Sequence, residues 1–379
     1  MKILLAPDSF KDSLTALEVC ESIEKGIKNY KSDILVKSLP MADGGEGTVR
    51  SLVDATGGKI IKKVVTGPLG KDVKAFYGIL GDKKTGVIEM ASASGLPLVP
   101  QDKRNPSRTT TFGTGELIKA TLEHNIEKLI IGIGGSATTD GGVGMAQALG
   151  VEFLDKNNKE IGFGGENLKH IDQIKMDNLD QRIKELEILV ACDVDNPLYG
   201  KKGAAYVYSP QKGADERMVE KLDENLRHFN KVVKEQLNKN VNKIKGAGAA
   251  GGLGAGLVAF LDAELKNGID ITLDIVNFDQ KIKGVDLIIT GEGMLDGQTV
   301  YGKTPIGVAK RAKEHHIPVV AVAGSLGEGV EKVLNNGIDS YFSIVDKPDT
   351  LEKIISRTEN LLTNLSEQII RTYLLEKKG

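Results

Sequence analysis

The chain has 379 residues, 40% of them hydrophobic and 27% charged, with 50 Lys and Arg against 52 Asp and Glu. That balance fits a globular protein and excludes the disordered and membrane-spanning classes, while a net charge of −2 leaves no basic footprint for nucleic acid or anionic lipid. Two cysteines cannot build a disulfide framework and no secretory leader pattern opens the chain, so the expected compartment is the cytoplasm.

Trp is absent, which argues against stacking platforms for bases, and the 45 glycines gather at the ends of predicted strands. Recognition of a small partner by backbone groups fits that distribution. The length exceeds one ordinary core, so two domains are expected.

Residues 2–6 read as a short buried strand, followed by a polar loop and a helix over 16–29. Side chains just past the carboxyl end of a strand face the ligand crevice of an open α/β sheet, which makes Asp8, Ser9 and Lys11 site candidates. Asp12 or Ser13 reads equally well as the helix cap. A second strand over 34–39 leads into Asp43, whose interleaved glycines Gly44, Gly45 and Gly47 go beyond a plain turn. Residues 59–98 switch to short alternating strands joined by Gly-rich turns. This is antiparallel hairpin chemistry, and a second domain begins there.

Arg108 precedes a helix that runs to about residue 124, and would suit a carboxylate or phosphate as well as solvent. The strand over 129–133 then runs into Gly134-Gly135-Ser136-Ala137-Thr138-Thr139-Asp140-Gly141-Gly142-Val143-Gly144. A strand–loop–helix unit of this kind lets N–H groups approach an anion closely, so Gly134, Gly135, Ser136, Thr138, Asp140 and Gly141 are phosphate-binding candidates.

After a strand pattern at 151–155 and an irregular stretch, the strand at 188–191 ends in Asp193 and Asp195, a spacing suited to Mg²⁺. Turns at 200–203 and 210–214 add amide and ammonium donors, Lys212 among them. A charged helix spans 215–237, with one buried stripe. A second glycine cluster at 246–256 enters a helix over 257–265, either as another close-approach loop or for tight packing. The last hundred residues alternate strands (286–290, 319–323, 341–345) with helices (306–315, 329–335, 351–374), which predicts a parallel, doubly wound sheet.

Three short motifs invite comparison. Gly132, Gly134 and Ala137 after a strand, with Asp155 further on, match a dinucleotide fingerprint, but three glycines fall where its helix should run. An NAD(P)-dependent oxidoreductase is therefore the alternative reading, and a non-catalytic sensor of a small hydroxy acid a third. Gly297 through Gly302-Lys303-Thr304 match a P-loop pattern. Gly291 through Asp296 separate it from its predicted strand, so it reads as a helix N-terminus, Thr304 capping and Pro305 first in the helix. Asp193-x-Asp195 resembles the aspartyl-phosphate phosphatase motif, and Pro197 disagrees with it.

Taken in order, Ala6-Pro7-Asp8-Ser9-Phe10-Lys11, Ala42-Asp43-Gly44-Gly45-Glu46-Gly47-Thr48, the loop from Gly132 to Gly142, Ala191-Cys192-Asp193-Val194-Asp195-Asn196-Pro197-Leu198, and Thr290-Gly291-Glu292-Gly293 with Asp296-Gly297-Gln298-Thr299 closely resemble the type-1 glycerate kinase family over almost the whole chain. The resemblance implies an ATP-dependent kinase that converts D-glycerate to 2-phosphoglycerate or 3-phosphoglycerate. It also implies a flavodoxin-like domain (1–58, 107–150 and 284–379) with an inserted mixed α/β domain (59–106 and 151–283), and a site in the cleft.

On that basis Asp43 or Asp193 orients or deprotonates the substrate hydroxyl, and Lys11 and Lys303 offset charge on the transferred phosphoryl. Asp8, Ser9, Lys11, Asp43 and Arg108 bind glycerate. The glycine loop, Gly291, Glu292 and Lys303 bind ATP, and Mg²⁺ is drawn to Asp193, Asp195, Glu292 and Asp296. The expected partners are ATP and D-glycerate, with neither nucleic acid nor membrane, and with room for a homodimer.

Overall fold

The computed structural model describes residues 1–375. Among the described residues thirteen strands run in chain order: β1 Lys2–Leu5, β2 Leu35–Ser38, β3 Lys59–Thr66, β4 Asp72–Ile79, β5 Thr85–Glu89, β6 Lys128–Gly132, β7 Glu152–Leu154, β8 Gln173–Lys175, β9 Glu187–Ala191, β10 Glu264–Lys266, β11 Leu287–Leu295, β12 Val319–Leu326 and β13 Ser340–Ser343. The chain divides into two compact units. One comprises residues 1–43, 50–57 and 269–379, the other residues 44–49 and 58–268.

The first unit is built on a five-stranded sheet in the order β13-β12-β11-β1-β2, with every neighbouring pair parallel. Counted within the unit this is the 2-1-3-4-5 order of a flavodoxin-like fold, so the implied architecture holds here. A parallel sheet covered on both faces needs continuous apolar strands, and Ile3, Leu5, Leu287, Ile289, Val320 and Val322 bury against Val19, Ile23, Leu362 and Ile370. The helix Ala16–Tyr30 starts at Thr15, which forms a capping box with Glu18; neither Asp12 nor Ser13 caps it. Gly26 on that helix lies so close to the Thr363 carbonyl and the Ser366 side chain that a Cβ would not fit, and this sets its approach to the helix Thr358–Tyr373.

The second unit carries the six-stranded mixed sheet β10-β9-β6-β5-β4-β3: β10, β9, β6 and β5 are parallel, and β4 and β3 are added as antiparallel strands. The expected hairpin chemistry holds over 59–89, where β3, β4 and β5 pair antiparallel, while Ala91–Ser94 and Leu96–Leu98 are helical. Residues 107–150, expected in the flavodoxin-like domain, belong to this second unit because β6 pairs with β5 and β9. A buried parallel strand shows its type locally, but which sheet receives it depends on partners far away in sequence.

Four boundaries also move. β11 continues to Leu295 beyond the expected end at 290, because Gly291 and Gly324 let its backbone and that of β12 approach too closely for any side chain. The second glycine cluster enters a helix at Ala249–Leu261, earlier than expected, with Ala250, Gly251 and Gly252 left-handed inside it. Residues 330–336 form a 3₁₀ helix, and the final helical stretch breaks into Leu351–Ile355 and Thr358–Tyr373.

Candidate functional site

In a 2-1-3-4-5 sheet the strand order reverses between β1 and its third strand, here β11, and ligands bind outside the carboxyl ends at that switch point. Asp8 lies there: its N–H donates to the Gly291 carbonyl at 2.8 Å, which ties the end of β1 to β11. The Asp8 carboxylate accepts from the Ser9 N–H (2.6 Å) and the Thr304 hydroxyl (2.7 Å). Burial of the carboxyl, and next the charge of Asp43, raise its pKa from 3.8 to about 7 despite those two donors. Glu292 on β11 also has a raised pKa, again mainly through burial. It accepts from Thr299 Oγ1 at 2.7 Å and faces Lys303 Nζ at 3.3 Å. Asp43 adds negative charge to both Asp8 and Glu292, so these three carboxyls form one electrostatic group. Lys11 is exposed, and its backbone nitrogen lies beside Gly293.

The helix Thr304–Lys313 has Lys303 as its N-cap, one residue earlier than the sequence suggests, because the Thr304 hydroxyl is engaged by Asp8. The loop before it is not a P-loop cradle: the N–H groups of Gln298 and Thr299 donate to Asp296 Oδ1 and that of Gly297 to the Glu328 carbonyl. Gly291, expected at the nucleotide, is explained by strand packing, since a Cβ there would meet the Val322 carbonyl.

In the second unit the glycine loop divides into two halves with different roles. Asp140 is buried and accepts from the Thr111 N–H and hydroxyl (2.8 Å each) and from the N–H groups of Gly142 (3.2 Å) and Gly144 (3.3 Å). Desolvation raises its pKa all the same. The Gly141 N–H donates to the Gly251 carbonyl. Asp140 and Gly141, expected to contact phosphate, therefore hold the loop together.

The near half is different. Gly134 and Gly135 are exposed, Gly135 is left-handed at φ 74°, and among the described residues the N–H groups of Gly134, Gly135 and Ser136 donate to no protein acceptor. Successive free N–H groups past the end of a parallel strand form an anion nest. Thr138 Oγ1 is buried without a partner.

The dinucleotide fingerprint fails on geometry, because the helix after β6 is Val143–Ala148, well beyond Gly135, and Gly142 stands left-handed at its start. Arg108 pairs loosely with Glu166 at 3.7 Å, both side chains being exposed. It lines a cavity of about 610 Å³ with Lys169, Arg217 and Lys221, a wall to which the near half of the glycine loop contributes nothing.

Asp193 accepts from the Gly268 N–H at 2.9 Å, and Asp195 faces Lys245 at 3.4 Å in full exposure. Among the described residues no group of three or more His, Cys, Asp or Glu is arranged to hold a metal ion. Asp193 and Asp195 belong to one unit, Glu292 and Asp296 to the other.

Sequence reasoning passed over the burial of Lys212. Its ammonium donates to Ser136 Oγ and to the Thr138 carbonyl, both at 2.7 Å. Desolvation lowers its pKa to about 7, with Asp140 opposing the shift. A Lys inside a Pro-Gln-Lys-Gly turn resembles any surface lysine, and only its partners mark it out.

Comparison with known proteins gives these observations a context. The model of the glycerate kinase family matches residues 3–374. A glycerate kinase of Bacillus subtilis is 53% identical over 100% of this chain and 99% of its own, and the glycerate 2-kinase of Escherichia coli is 50% identical over 98% of each. A crystal structure from Salmonella typhimurium LT2, described as a glycerate kinase 2, superposes with a TM-score of 0.93 at 45% identity and full coverage of both chains. With a likeness that runs end to end through sequence and fold alike, the chain belongs to the glycerate kinase family.

Proposed function

We propose that the protein transfers the terminal phosphoryl group of ATP to a hydroxyl of D-glycerate, releasing ADP and 2-phosphoglycerate. The observation that carries this reading is the carboxyl of Asp8, held near neutrality at the switch point of a flavodoxin-like sheet with Thr304, Glu292 and Lys303 around it. The substrate follows from the names of the relatives, and position 2 from that of the Escherichia coli enzyme.

A base with a pKa near 7 takes a proton from an attacking hydroxyl at neutral pH, and phosphoryl transfer otherwise asks for positioning and charge neutralisation. Asp8 accepts the hydroxyl proton as the glycerate oxygen bonds to phosphorus and the bond to ADP breaks. Asp43 keeps the Asp8 pKa high, while Lys303 and the exposed Lys11 offset negative charge. The second unit carries a donor cradle of its own, the N–H groups of Gly134, Gly135 and Ser136, whose chemistry suits a phosphate. Mg²⁺ arriving as the chelate of ATP would be held chiefly by the phosphates and would offset their charge.

Among the described residues no helix is long and apolar enough to cross a membrane. The same reading expects a cytoplasmic enzyme and leaves a homodimer to light scattering. The deciding experiment measures ADP release with D-glycerate and locates the phosphoryl group by NMR. Release that requires NAD(P), or binding of glycerate with no ADP formed, would overturn the reading.

A further inference from the structure

We propose that Lys212 is a positioning residue for the nucleotide: by donating to Ser136 Oγ and to the Thr138 carbonyl it turns the segment from Gly134 to Thr138 into a surface of hydrogen-bond donors for phosphate. The inference rests on the kinase reading given above and extends it to a residue outside the reacting groups.

A glycine loop attracts an anion only if its carbonyls are directed elsewhere. Here the Gly135 carbonyl accepts from Leu96 N–H (2.8 Å), the Ala137 carbonyl from Thr109 Oγ1 (2.8 Å), and the Thr138 carbonyl from Lys212. Lys212 thus neutralises an acceptor that no neighbouring backbone N–H reaches. Its second bond sets the polarity of Ser136. Because the ammonium donates to Oγ, the serine hydroxyl keeps its own proton to give, and among the described residues that proton has no acceptor. A hydroxyl that accepts from a cation is the stronger donor for it.

Two further observations suit an anion at this loop. Among the described residues the N–H groups of Gly134, Gly135 and Ser136 meet no acceptor, and Thr138 Oγ1 is buried with no partner, an arrangement that native structures rarely leave unexplained. Lys212 is itself only 2% exposed, so it acts through the loop from behind it. An anion placed on the loop favours the charged ammonium, and so strengthens both bonds that position the donors.

The test compares Lys212→Met, Ser136→Ala and the double variant, measuring MgATP and MgADP affinity by calorimetry alongside kcat and both KM values. If Lys212 acts through Ser136, Lys212→Met weakens nucleotide affinity about tenfold or more, leaves glycerate KM within twofold, and the double variant binds no worse than the weaker single variant. Unchanged nucleotide affinity in Lys212→Met, or losses that simply multiply in the double variant, would overturn the proposal.

Should Lys212→Met fail to fold, Thr138→Val decides. It removes the unpartnered hydroxyl at constant shape, and is expected to raise the melting temperature of the free protein while lowering nucleotide affinity. A gain in stability with no loss of affinity would reject the proposal. A wild-type protein that forms no ADP would instead reject the kinase reading, which keeps the two failures distinct.

Discussion

Replacing Asp8 by Asn separates the chemistry of the switch point from its architecture. Asn preserves shape and can still accept from the Ser9 N–H, while Thr304 Oγ1 can reverse and accept from the new amide. What disappears is the ionisation.

With a folded pKa of about 7 against 3.8 for the free side chain, the native state binds the proton more tightly than the unfolded chain does. Wild-type stability therefore falls as pH rises from about 4 to 7, and the ionised carboxylate is a burden above that range. A rise from 3.8 to about 7 corresponds to about 4 kcal/mol at 1.36 kcal/mol per pKa unit, an upper bound because Asp8 keeps some exposure to solvent and loses a donor in the variant. Between pH 5 and pH 8 the stability of Asp8→Asn relative to wild type should rise by about 1–3 kcal/mol, measured by urea unfolding at both values. Over the same interval wild-type kcat/KM should climb with unit slope to a plateau near pH 7, and the variant should lose about 10²–10⁴ in kcat. Equal relative stability at both pH values, or a variant that keeps kcat, would refute the reasoning.

Other consequences can be measured separately. Lys303→Met removes the cation at 3.3 Å from Glu292 and should raise the Glu292 pKa further, lowering kcat by about 10–100-fold with a smaller effect on glycerate KM. Gly291→Ala drives a methyl group into the Val322 carbonyl and should cost about 1–3 kcal/mol in a denaturant titration. Gly134→Ala finds its nearest atom, Gly45 Cα, at 3.5 Å, so its unfolding midpoint should match wild type, while a fall in nucleotide affinity is expected from crowding the proposed phosphate loop. For Lys212 the folded pKa of about 7 lies below its free value of 10.5, so the unfolded chain binds more protons between those limits and stability should rise with pH across them. That slope should flatten in Lys212→Met.

The sequence made the type of each element readable wherever the pattern was local. The apolar run of β1 and the alternation at 59–89 each dictate one structure from a few neighbouring residues, whereas the Thr15–Glu18 capping box is equally local and was passed over in favour of Asp12 or Ser13. Asp8, Asp43, Glu292 and Lys303 could be singled out because strand ends are where α/β sheets bind ligands, and the structure gathers them in one unit. Less was readable where the outcome depends on distant partners. β6 joins the mixed sheet through Glu89 and Ala191, which pair with Gly132 from opposite sides. Asp140 looks like a ligand in sequence, yet it is claimed by Thr111, and Lys212 looks solvated until Ser136 and Thr138 close around it. Gly291 suggested a loop because glycine favours both turns and crowded strands, and sequence does not distinguish the two uses.

The left-handed trio Ala250, Gly251 and Gly252 bears on protein engineering. Gly251 lies against the Thr138 carbonyl and Gly256 against Gly141 and Gly142, main chain touching main chain, while Gly252 meets the Leu198 and Leu226 side chains as well as Gly141. Where main chain meets main chain, at Gly251 and Gly256, the junction offers no side chain to trim when one strip is altered. Anyone grafting the glycine-rich turn into another scaffold would have to carry residues 134–144 and 246–256 across together, as a matched key and lock cut from one blank.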